Sequence, residues 1–107
     1  MIVAVDPARH EETIMIMSVA HASVDESEQR HVFGAWSDLI VGSRPEGLVD
    51  CYLLETDGVV QITAIWASAD DHDRAIHEEA NHPAYAVFEA SGADPTHSVF
   101  TVVGRLG

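Results

Sequence analysis

A chain of 107 residues, nearly half of them hydrophobic, is the size of one domain and can bury a modest core, which excludes an intrinsically disordered polymer. Its formal charge is −13, from 18 acidic residues against five arginines and no lysine. It therefore lacks the basic footprint that nucleic-acid phosphates or an anionic membrane surface would require. The acidity reads as a solvated surface. Cys51 is alone, so no intrachain disulfide forms; lying in an apolar run without a neighbouring His, it reads as a buried, inert thiol. No basic region precedes the first apolar patch, and no apolar stretch reaches the ~18 residues that span a bilayer. A cytoplasmic location is expected.

Residues 1–12 read as an N-terminal arm, in which Asp6-Pro7 ends a short apolar patch. Thr13 to His21 alternates as a strand, with Ile14, Ile16, Ser18 and Ala20 on one face and Met15, Met17, Val19 and His21 on the other. Ser23-Val24-Asp25-Glu26 fits a capping box. Val32, Phe33, Trp36, Leu39 and Ile40 then recur at helical spacing, and Gly42 stops the helix after Val41. Gly34 inside it costs about 1 kcal/mol against Ala, and a close approach to the sheet is one reason to keep it. SRPEG, from Ser43 to Gly47, is a loop. Leu48–Thr56 and Val59–Ala67 are strands joined by an Asp57-Gly58 hairpin turn. Ser68 caps an acidic helix, Pro83 opens another, and Ser91-Gly92 ends it. Ser98–Val103 is the last strand.

The order β-α-β-β-α-β is the split βαβ, ferredoxin-like arrangement, an α+β fold with a four-stranded antiparallel sheet. Residues 13–107 form that single domain. One helical layer covers one sheet face, yet the strands are apolar on both. The second face needs another cover, and a homodimer packed sheet to sheet is expected.

Candidate site residues gather between Val59 and Phe88. Trp66 shares a strand face with Val60, Ile62 and Ala64; it is either a core tryptophan or an aromatic wall for a flat ligand. His77 has Asp73 four residues before it, so it is either a surface histidine held by that acid or a general base near neutral pH. His72, His77 and His82 are spaced by five. On one helix that turns successive side chains apart by ~140°, so no metal site is expected from them. His21 ends the first strand and is placed in the same cavity as Trp66. Tyr52 and Tyr85 are packed aromatics or hydrogen-bond donors to a ligand. No dinucleotide fingerprint, phosphate loop or nucleophile elbow is present.

Several of these segments together resemble the antibiotic biosynthesis monooxygenase family of the dimeric α/β barrel superfamily. They are Phe33 and Trp36 in the first helix, Pro45-Glu46-Gly47-Leu48, Ile65-Trp66-Ala67-Ser68, Ala75-Ile76-His77, His82-Pro83-Ala84-Tyr85 and Phe88. The resemblance covers residues 13 to 103. It implies a homodimer and a small apolar or aromatic ligand. It also implies a cofactor-independent monooxygenase that oxidises an aromatic or quinone-forming metabolite with O2. His77 would then be the base, Trp66 and Phe33 the pocket walls, and Tyr52 or His21 the donor. A non-catalytic ligand-binding or structural dimer of the same fold is the alternative. Haem binding or haem degradation is a second one. Haem-degrading relatives carry an Asn on the first strand, and Met17-Ser18 stands there instead. No metal or other cofactor is expected.

Overall fold

The computed structural model describes residues 14–42, 44–78 and 82–106. The arm assigned to residues 1–12, the Thr13 start of the first strand and Ser43 of the loop lie outside the described residues. Seven elements follow one another: β1 (Ile16–Ser23), α1 (Glu26–Val41), β2 (Leu48–Thr56), β3 (Val59–Trp66), α2 (Ala69–His77), α3 (Pro83–Ser91) and β4 (Thr96–Thr101). The sheet runs β2-β3-β1-β4 and each neighbouring pair is antiparallel. This is the α+β, ferredoxin-like arrangement that the element order predicts.

Local chemistry sets most boundaries. Asp57 and Gly58 both take positive φ, 46° and 79°, as a two-residue hairpin turn requires. Pro83 occupies the first turn of α3, and Gly92 ends it in the left-handed region at φ 78°. Two boundaries differ from expectation. The capping box of α1 is Asp25–Glu28, not Ser23–Glu26. Asp25 Oδ1 accepts the Glu28 amide at 2.7 Å and Glu28 Oε1 accepts the Asp25 amide at 2.9 Å. Ser23 is unavailable because it still pairs with Val59 in the sheet. β4 begins at Thr96, before the expected Ser98, because its ladder with β1 extends to the His21–Thr96 pair.

Strand alternation divides the molecule into two layers. Ile16, Ser18, Ala20 and Ala22 of β1 and Val60, Ile62, Ala64 and Trp66 of β3 are buried on the helix-facing side. Val32 of α1 and Ala84, Val87 and Phe88 of α3 close over the Ala20–Val60–Ile62 end. The predicted α1 stripe is only partly interior: Val32 is fully buried, Trp36 and Leu39 pack against the core, and Phe33 and Ile40 are exposed. Gly34 faces open space, so no close approach to the sheet explains it. The opposite sheet face carries Met17, Val19, Tyr52, Leu54, Ile65 and Phe100, with Tyr52 and Phe100 about half exposed. No described helix is long and apolar enough to cross a membrane.

Candidate functional site

At the Trp66 end of the sheet the core changes character. Trp66 is fully buried among Ile16, Ala64 and Ala75, and its Nε1–H donates to Ser18 Oγ at 3.1 Å. A buried indole needs such a partner, and Ser18 on the neighbouring strand supplies it. The first-strand serine thus contacts the tryptophan directly.

Two histidines, His72 and His82, lie against this ring, and a third, His97, lies against both of them. His72 comes from α2. Ser68 caps that helix by accepting the Asp71 amide at 3.1 Å, and the resulting phase turns His72 and Ala75 toward the sheet. His82 is the N-cap of α3; its Nδ1 accepts the Ala84 amide at 3.2 Å while Pro83 fills the first helical position. His97 sits near the start of β4, opposite Ala20, on the helix-facing side. Trp66 lies 5.7 Å from His72 and 5.6 Å from His82, measured between ring centroids. His82 lies 5.5 Å from His72, 5.3 Å from His97 and 5.0 Å from Tyr85. One ring nitrogen of each histidine falls within 4.8 Å of those of the other two. The Nε2 atoms of all three are buried without a hydrogen-bond partner.

Burial keeps these rings uncharged. Desolvation first, and then the facing His97 and His72, together lower the His82 pKa to about 4. His72 is lowered by desolvation, opposed by the neighbouring Asp73 carboxylate, whose Oδ1 lies 3.9 Å from His72 Nδ1. His97 is lowered by desolvation alone. The protonation patterns of two rings follow from their surroundings. The Asp73 carboxylate, 3.9 Å from His72 Nδ1, favours the tautomer with its proton on that nitrogen and a lone pair on Nε2. The Ala84 amide occupies the His82 Nδ1 lone pair and so puts the proton on Nε2. A base and a donor therefore stand side by side.

Two openings flank the cluster. An apolar cavity of about 240 Å³ is lined by Trp36, Leu39, Leu48, Cys51 and Pro83, with Arg44 at its mouth. Leu48 and Cys51 also pack against the Trp66 group, so this cavity backs onto the site without containing the histidines. Burial raises the Cys51 thiol to about 11, which keeps it protonated and inert. An open cleft of about 500 Å³ on the other side is lined by Tyr85, Phe88, Glu89, Asp94 and His97, and it reaches the cluster directly.

The residues singled out in the sequence scatter. Trp66 is at the centre. His77 is exposed at the end of α2, its Nδ1 2.7 Å from the Asp73 carbonyl oxygen, so its partner is that backbone group. His21 and Tyr52 point to the open sheet face, away from Trp66, because they alternate with Ala20 and Cys51. Phe33 is exposed on α1. His72 and His82, which a single helix would have set apart, are brought together by the break between α2 and α3. His97 was not among the expected residues, because a strand beginning at Ser98 leaves it outside β4; it shares its strand face with Val99.

No family model and no curated protein matches the sequence. Among solved structures, SnoaB, a cofactor-independent oxygenase from Streptomyces nogalater, shares 22% identity over 86% of this chain and 96% of its own, with a TM-score of 0.64. A proposed antibiotic biosynthesis monooxygenase from Chloroflexus aurantiacus shares 16% over 87% and 97%, at 0.61. A Nitrosomonas europaea protein of unknown function shares 7% over 89% and 95%, at 0.69. Similarity at this level is similarity of backbone, and it extends across almost the whole of each partner. This chain has the fold of SnoaB and the antibiotic biosynthesis monooxygenase-like proteins.

Proposed function

We propose that this protein is a small-molecule oxygenase of the cofactor-independent type, acting on an aromatic or quinone-forming metabolite with O2 at the histidine cluster beside Trp66. The observation that carries this reading is the set of three buried, unpartnered Nε2 atoms beside one fully buried indole. Unsatisfied buried polar atoms cost about 1–3 kcal/mol each, and such a cost is retained where the groups have a task. SnoaB adds a precedent for oxygenation without a cofactor on this fold.

The division of labour follows from the protonation patterns. His72 Nε2 takes a proton from the acidified ring position of the substrate. His82 Nε2–H donates to the oxygen on which negative charge develops. The delocalised anion then reduces O2. One oxygen atom ends in the new carbonyl and the other leaves as water, carrying the two hydrogens that the ring carbon gave up. Trp66 and Tyr85 wall the site. His77, expected as the base, stands outside the cluster. Tyr52 and His21 belong to the open sheet face, where a second copy of the chain would cover them in a homodimer.

An anthrone offered to the metal-free protein in air should give quinone with stoichiometric O2 uptake. His72→Gln should lower the rate about 100-fold, within the range of general-base effects. An unchanged rate would remove His72 from the chemistry. A second reading, a non-catalytic ligand-binding dimer, draws support from the apolar cavity that lies apart from the histidines. Saturable anthrone binding with no quinone formed by the wild type would favour it.

A further inference from the structure

We propose that His72, His82 and His97 bind one divalent transition-metal ion of the zinc, cobalt or nickel class. The inference shares its location with the reading above and takes nothing else from it. Three separate elements each deliver one imidazole to the same place: α2, the N-cap of α3 and β4. Three histidines with a fourth position left to solvent or substrate are a ligand set that zinc uses in catalytic sites, and imidazole also suits nickel and copper. A single ion would engage all three unpartnered nitrogens at once.

The surroundings fit. The Asp73 carboxylate stands 3.9 Å from His72 Nδ1, an ion-pair rather than a hydrogen-bond distance, on the side of the ring where an outer carboxylate supports a ligating imidazole. His97 and Tyr85 open onto a cleft whose rim carries Glu89 and Asp94, an entry route that attracts cations. The net charge of −13 adds to that attraction.

Magnitudes show what binding must change. Nitrogens about 2.0–2.1 Å from a tetrahedral ion stand roughly 3.4 Å apart. Here they lie within 4.8 Å, so the widest pair must close by side-chain rotation. His97, half-buried on an edge strand, has the most freedom to do so. His82 carries a specific cost. Its Nε2 proton must leave, and Nδ1 must take up a proton and release the Ala84 amide, now held at 3.2 Å. Ion binding is therefore coupled to the first turn of α3. It also occupies the His72 lone pair, so a bound ion and base catalysis by His72 are mutually exclusive.

The test uses untagged, full-length protein stripped with a chelator. Zn2+ titrated by calorimetry should bind at one ion per chain, and Co2+ should give the visible bands of four-coordinate geometry. The Ala84 amide resonance should shift on binding. His97→Ala, and independently His72→Asn, should weaken binding at least ~100-fold, since each removes a ligand rather than an outer-shell partner. His77→Ala should bind like the wild type, because that ring is outside the cluster. The proposal is overturned if the wild type takes up no ion, or if both ligand variants bind as tightly as the wild type. Ion binding by a protein whose metal-free form does not oxidise anthrone leaves the metal site standing and removes the oxygenase reading; oxidation by metal-free protein that takes up no ion does the reverse.

Discussion

The two ends of the helix-covered sheet face are made from the same strands and yet differ in kind. At one end Ala20, Val60 and Ile62 meet Val32, Val87 and Phe88 in an apolar cluster. At the other, Ser18, His72 and His82 are buried with Trp66 among a few small side chains. The first end places apolar atoms where water is excluded and gains stability from it. The second buries imidazoles whose desolvation opposes folding. A protein of this size has little stability to spare, so the polar end is where the proposed function is sited and the apolar end is what offsets its cost.

The contrast can be broken from either side. The largest effect belongs to the apolar end. Phe88→Ala, at a fully buried ring, should lower the unfolding free energy by about 3–5 kcal/mol, read by denaturant titration. A loss below about 1 kcal/mol would mean that this end is not the main support.

Acid should act on the other end. His82 is neutral when folded, with a pKa of about 4, but takes a proton near 6.5 when unfolded. Below 6.5 the unfolded chain binds the proton that the folded chain refuses. Stability is therefore complete above about 6.5 and falls as pH drops toward 4, by roughly 3 kcal/mol from this ring alone. His72 and His97 shift in the same direction and add to the loss. Metal-free protein equally stable at pH 7 and pH 4 would contradict the burial of these rings.

A smaller effect isolates the indole. Ser18→Ala removes the acceptor of the Trp66 N–H and should cost about 1–3 kcal/mol, with a shift in the tryptophan emission. The smallest is a control. His77→Ala touches neither end and should change stability by less than about 0.5 kcal/mol, with anthrone turnover unaffected. A lost turnover would return His77 to the mechanism.

Much of the fold was legible because its signals are local. Alternation placed Ile16, Ser18 and Ala20 on one face, Asp57-Gly58 announced the hairpin, and Pro83 and Gly92 bounded α3. The misreadings were also local. Ser23 looks like a cap, but a sheet partner claims it. Phe33 follows the helical stripe, yet α1 meets the core mainly through Val32.

The candidate site was less legible. Trp66 was recognisable as a bulky residue closing a strand beside a helix cap. The histidines were not, because side-chain spacing along one helix does not apply to residues carried by two helices, α2 and α3. His97 is 25 positions after His72 in the sequence, and only the pairing of β4 with β1 sets it on the inner face. Periodicity, turn chemistry and charge are written in neighbouring residues, so the sequence alone determined most elements, their order and the presence of apolar residues on both sheet faces. Which imidazoles meet depends on strand register and on how two helices cross one sheet. Those are long-range quantities, and the tertiary structure decided them.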